Sequence, residues 1–133
     1  MSLAAERHVV VTDRAPRPLN GAPYSQAIAT RGLVFVSGQV PLDPITQELV
    51  PGGVAEQTER VLENIKGVLE AAGSTMADIA KTTVFMLDLA DFAEMNTVYA
   101  RYFPNTPPAR STFQVAGLPA GASVEIECIA VGE

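Results

Sequence analysis

Two residues near the C-terminal end, Arg110 and Glu125, are of the types that handle small carboxylate-bearing molecules. A guanidinium is planar and always charged, and it matches a carboxylate through two parallel hydrogen bonds. A carboxylate beside water can orient that water and accept its proton as it adds to an electrophilic carbon. Both residues lie in RSTFQVAGLPAGASVEIECIAV, residues 110–131, which reads as two strands joined by a Pro/Gly turn. Counting by twos puts Val124, Ile126, Cys128 and Ala130 on one face of the second strand. Glu125, Glu127, Ile129 and Val131 fall on the other, a mixture that suits neither plain solvent nor plain core and predicts a subunit contact or a pocket. On the first strand Arg110 shares its face with Thr112 and Gln114, so Arg110 and Glu125 are expected to look into one polar cleft. From spacing alone the plainer reading of the pair is a salt bridge across a subunit interface.

Smaller signals accompany them. The Pro- and Gly-rich loop APRPLNGAP delivers Tyr24 and Ser25 to the start of a strand. Taken alone, Tyr24 is a packed aromatic after a loop and Ser37 a strand-end hydroxyl. Gly38, inside a strand pattern, marks either a place where a ligand or backbone comes close or a bulge at a strand end, and both readings stand. Asn96 lies on a helix away from its apolar stripe and reads as an exposed amide.

The elements that must hold these residues follow from periodicity. Residues 8–12 form a short β-branched run, and Ala27–Thr30 and Leu33–Ser37 form a hairpin about Arg31-Gly32. Val54, Thr58, Val61, Leu62, Ile65, Val68, Leu69 and Ala72 recur at steps of three and four, predicting a helix that Gly73 ends with a left-handed cap. A strand is predicted from Lys81 to Leu87. Asp91, with Glu94 three residues on, then caps a second helix whose stripe is Phe92, Met95, Val98, Tyr99, Tyr102 and Phe103. The order is β-β-β, helix, β, helix, β-β, an α+β domain with two helices on one face of a mixed sheet, and residues 1–133 are expected to form that one domain. Two helices cover one side only, so self-association is expected to cover the other.

Composition narrows the chemistry. A chain of 133 residues buries roughly 65–70% of the surface its unfolded form exposes and needs no disulfide or metal to fold. Cys128 is the one cysteine, a small core residue by its pattern, which favours a reducing, cytoplasmic setting. The start, MSLAAERHVV, has no apolar run of signal-peptide length, and no segment suits a membrane span. A net charge of −6 with nine scattered basic residues gives no footprint for nucleic acid. With His8 the one histidine, neither a Ser-His-Asp triad nor a His-rich metal site can be built.

Assembled in order, these blocks resemble the RidA/YjgF/UK114 family of enamine/imine deaminases. The likeness runs from APYSQA (22–27) through FVSGQVPLDP (35–44), Gln57-Thr58, EAAGS (70–74), KTTVF (81–85), Asp91-Phe92 and Asn96 to PARS (108–111) and VEIE (124–127). The resemblance implies a chorismate-mutase-like fold assembled as a homotrimer, with sites in the clefts between subunits. It implies small-molecule substrates, 2-aminoacrylate and related enamines or imines converted to 2-oxo acids and ammonia, with no metal or organic cofactor. On this chain it makes Arg110 the carboxylate clamp and Glu125 the residue that positions water, with Tyr24, Ser37, Gly38 and Asn96 lining or supporting the pocket. Thr112 stands where many members carry a cysteine, leaving a hydroxyl of similar size to hydrogen-bond. A rival from a different class is a non-catalytic trimer that binds small carboxylates. Nuclease activity, attached to some relatives, is disfavoured by the acidic charge.

Overall fold

The computed structural model describes residues 6–132. Residues 1–5, half of the N-terminal stretch read above for a signal peptide, lie outside the described residues. Six strands and two helices follow in the predicted order: β1 (His8–Val10), β2 (Ala27–Thr30), β3 (Leu33–Gln39), α1 (Val54–Ala71), β4 (Ile79–Met86), α2 (Phe92–Arg101), β5 (Ala109–Gln114) and β6 (Val124–Val131). They form one mixed sheet in the order β1-β2-β3-β6-β4-β5. All neighbours are antiparallel except β4 and β5, which run parallel because α2 carries the chain back between them. No helix among the described residues is long and apolar enough to cross a membrane.

Strand order corrects one expectation. The Pro/Gly segment joins β5 to β6 in the chain, but the two strands are not neighbours, because β4 lies between them. β6 instead pairs with both β3 and β4, so the strand carrying Glu125 is internal and the strand carrying Arg110 is an edge.

α1 packs over β3 and β6 and against α2. Its stripe is buried as predicted, with Val61, Leu62, Ile65, Val68 and Leu69 fully enclosed. Each such aliphatic contributes roughly 1.5–3 kcal/mol by leaving water, and together with Val34, Val84 and Ile126 from the sheet they form the core. Glu56 accepts a hydrogen bond from the Gly53 amide at 2.8 Å and closes the N-terminus, while Gly73, at φ +80°, ends the helix in the left-handed region.

α2 begins differently from expectation. Asp91 makes no side-chain cap; Asp88 accepts from the Ala90 amide at 2.9 Å and caps a 3-10 turn, Leu89–Asp91, that leads into the helix. The capping carboxylate is thus Asp88, three residues before the expected one. Met95, Val98 and Tyr99 are buried, but Phe92, expected in the same stripe, is 37% exposed.

The face of the sheet opposite the helices is uncovered in the single chain. Register lines up Val9, Ile28, Phe35 and Ile129 across β1, β2, β3 and β6, with Val9 60% and Phe35 41% exposed. A second exposed aromatic, Phe113, lies beyond Phe85 and Glu125 on the same face.

Candidate functional site

Glu125 sits on the uncovered face of β6, and the backbone beside it is shaped to admit it. Between Val36 and Gln39 the pairing of β3 with β6 slips, so three steps on β3 answer two on β6. The extra residue is a bulge at Ser37-Gly38. Here Gly38 has no Cβ, and one built there would stand 2.9 Å from Cδ of Glu125 and closer still to a carboxylate oxygen. The bulge reading of Gly38 is met, and what comes close to it is the Glu125 side chain, neither a ligand nor another backbone. Ser37 donates its hydroxyl to the Ser25 carbonyl. Tyr24, 40% exposed, accepts at its hydroxyl from the Leu19 amide at 2.8 Å. The loop behind is held by the buried Gln26 amide, which donates to the Thr12, Ala15 and Pro16 carbonyls. The result is a shallow cavity of about 350 Å³ lined by Leu19, Tyr24, Ser37, Gly38, Pro119 and Glu125, among others. Burial of Glu125, with a smaller push from the Glu127 charge, raises its carboxyl above the usual glutamate range.

Arg110 sits on the opposite face. It pairs across β4/β5 with Thr82, whose side chain is buried beneath α2. Its Nη1 donates to Asn96 Oδ1 at 2.7 Å, so Asn96 is a half-buried acceptor rather than the exposed amide of the plain reading. Its Cζ lies 4.8 Å from the Tyr99 ring centroid and 5.4 Å from that of Phe92. Among the described residues no carboxylate pairs with it. Thr112, two residues along the same face, has a buried hydroxyl without a hydrogen-bond partner among the described residues.

In place of the expected single cleft there are two separate clusters. Tyr24, Ser37, Gly38 and Glu125 come together on the uncovered face, and Asn96, Arg110 and Thr112 on the helix face. Glu125 is level with Phe85 and Phe113, while Arg110 lies three residues back toward the start of β5. Two strand spacings across and three residues along put the two backbones about 14 Å apart, with their side chains on opposite faces. The physical reason is the intervening β4: the parity counted through the turn does not carry over to a strand two places away. A larger cavity of about 530 Å³, bordered by Lys66, Arg101 and Tyr102, contains none of these residues.

Reading the sequence missed the groups around Arg110. By sequence Phe92 and Tyr99 belong to the apolar stripe, and Thr82 to a strand with no role at a site. The signal was present in the spacing 92, 96 and 99, which is i, i+4 and i+7 on one helix face. The Thr82–Arg110 register was not visible, because parallel pairing leaves no turn to count from.

The comparisons agree with this architecture. Residues 13–132 match the family described as Endoribonuclease L-PSP. Reactive Intermediate Deaminase A, chloroplastic, of Arabidopsis thaliana is 49% identical over 127 residues, covering 96% of this chain and 67% of the relative. The 2-iminobutanoate/2-iminopropanoate deaminase of Mus musculus is 46% identical over 125 residues, covering 94% and 91%. The crystal structure of E. coli TdcF with bound serine superposes with a TM-score of 0.89 at 43% identity, covering 95% of this chain and 99% of that one. With an end-to-end match in sequence and in fold, the chain belongs to the RidA/YjgF family.

Proposed function

We propose that this protein is a hydrolytic deaminase of small 2-imino acids and their enamine tautomers, working at sites completed between copies of a homotrimer. The observation that carries the reading is Arg110: a guanidinium fixed by neutral groups, Asn96, Tyr99 and Phe92, and paired with no acid among the described residues. Asn96 takes one of the Arg110 N–H donors, and two donors left in parallel are what a bidentate carboxylate receptor requires. The two clusters on opposite faces support a site shared between copies, since neither holds both groups the chemistry needs. The uncovered row of Val9, Ile28, Phe35 and Ile129 supports self-association, because burying it removes apolar surface from water.

In this reading Arg110 of one copy holds the substrate carboxylate, with the Thr112 hydroxyl beside it. Glu125 of the next copy orients a water against the imine carbon. Water oxygen adds to that carbon, and Glu125 accepts the proton released. The same proton passes to the nitrogen of the tetrahedral adduct. The substrate reacts as the protonated imine, so the adduct nitrogen is now –NH3+; the C–N bond then breaks, ammonia departs with its electron pair, and the hydroxyl gives its proton to solvent to become the carbonyl of a 2-oxo acid. One water enters and one ammonia leaves. A 2-aminoacrylate enamine first takes a proton at its terminal carbon to become the protonated imine. The raised carboxyl of Glu125 suits a base that must accept and return a proton. The names of the mouse and Arabidopsis relatives support this reaction class.

A second reading, a non-catalytic binder of small carboxylates, is favoured by serine, itself a small carboxylate, in the E. coli TdcF structure. Ammonia and 2-oxo acid release from imines made in situ by an amino-acid oxidase separates the two. Acceleration that is lost in both Arg110→Ala and Glu125→Gln, with carboxylate binding kept by Glu125→Gln, supports the deaminase. Carboxylate binding through Arg110 with no acceleration by wild type supports the binder.

A further inference from the structure

The clamp itself is held by a device that the reaction chemistry does not name. Phe92, Asn96 and Tyr99 occupy successive turns of α2 on one face, and all three touch Arg110. Both rings lie within about 6 Å of the guanidinium carbon, the range in which an aromatic face attracts a cation. Asn96 takes one N–H and so fixes rotation within the guanidinium plane. Tyr99 is buried, and its polar end meets the Thr82 hydroxyl at 2.7 Å. Thr82 is in turn the cross-strand neighbour of Arg110. A closed circuit therefore runs from β5 through the guanidinium to the Tyr99 ring, through its hydroxyl to β4, and back across the ladder to β5.

We propose that Tyr99 is the positioning residue of the carboxylate clamp, its buried ring, assisted by Phe92, setting the plane in which Arg110 meets substrate. The inference rests on the proposed role of Arg110. Arginine side chains carry large rotamer entropy, and a guanidinium free to swing loses that freedom on every binding event. Three contacts from one rigid helix remove most of it beforehand. Phe92, exposed beside the cation, also shields one side of it from water, which strengthens its hold on an anion.

The test compares Tyr99→Leu with the double variant Thr82→Val/Tyr99→Phe. The double variant keeps the ring and deletes both hydroxyls together, so no polar group is orphaned. Three readouts are taken: kcat and KM for in situ imines, the affinity for pyruvate, and the Arg110 side-chain NMR resonances, assigned by their loss in Arg110→Lys. Tyr99→Leu is expected to weaken pyruvate binding about tenfold, to raise KM more than it lowers kcat, and to move the Arg110 resonances from ring-shielded positions to those of a free arginine. The double variant is expected to stay within about threefold of wild type and to keep the shielded resonances. Should Tyr99→Leu fail to fold, Phe92→Ala, at an exposed position, reads the other ring, with a loss of about threefold expected. A folded Tyr99→Leu with unaltered pyruvate affinity and resonances overturns the proposal, as does an unchanged Phe92→Ala where that variant must stand in. Absence of imine turnover by wild type counts against the deaminase instead, while the resonances still decide the role of Tyr99.

Discussion

Adding one methyl group at Gly38 tests the part proposed for Glu125. The backbone there is outside the left-handed region, so alanine introduces no φ strain, and the whole effect is steric. The new Cβ would lie 2.9 Å from Cδ and 3.3 Å from Cγ of Glu125, whereas carbon atoms rest at about 3.5–4.0 Å. The carboxyl end must therefore retreat by about 1 Å, and being the tip of a flexible side chain it can. An off-rotamer glutamate costs about 0.5–1.5 kcal/mol, so Gly38→Ala is expected to melt within a few degrees of wild type. Catalysis is less forgiving, because a displacement of about 1 Å at a reacting group costs on the order of 100-fold. With the Arg110 clamp untouched, the loss should fall on kcat, leaving KM for imines generated by an amino-acid oxidase within about threefold. A stable Gly38→Ala with wild-type kcat would refute the reasoning, because it would mean that the placement of Glu125 does not limit the reaction.

Three further outcomes are expected. Arg110→Ala and Arg110→Lys should each lower kcat/KM about a hundredfold, lysine failing because a point charge cannot grip both carboxylate oxygens, and a lysine variant of full activity would deny the bidentate role. If Glu125 works as the base, then with its carboxyl raised first by burial and then by Glu127, activity should fall as pH drops through that raised value. Glu127→Gln should move this acid limb to lower pH, and a pH–rate profile with the limb unmoved would exclude the coupling. If assembly covers the apolar sheet face, the melting temperature should climb about 3 °C for each tenfold rise in protein concentration, as measured by scanning calorimetry, and a flat response would argue for a monomer.

Much of this fold was legible in the sequence for identifiable reasons. The hairpin at Arg31-Gly32 and the helix ending at Gly73 rest on local backbone rules, and both residues of that turn indeed take positive φ. Alternation along 124–131 separated core from open face correctly, with Val124, Ile126, Cys128 and Ala130 buried. Cys128 is as inert as its pattern suggests, burial pushing its thiol up to about 12. Strand order was beyond reach, because inserting β6 between β3 and β4 is a long-range choice made by packing, and no turn residue encodes it. The same gap put Arg110 and Glu125 in one cleft on paper and on two faces in the folded chain. Asp91 misled for a related reason: two aspartates precede α2, and only the backbone path tells which one meets a free amide.

The opposite-face placement of Arg110 and Glu125 has a genetic meaning. If each site draws its arginine from one copy and its glutamate from the next, the unit that succeeds or fails is the junction and not the polypeptide. An Arg110→Ala chain and a Glu125→Gln chain, each dead alone, then carry complementary defects. Refolded together at equal ratio into random trimers, they would pair an intact arginine with an intact glutamate at about one junction in four, and activity would reappear in a mixture of two inactive proteins. Two lesions on the same chain would leave no such remainder: an Arg110→Ala/Glu125→Gln chain mixed with wild type only dilutes it.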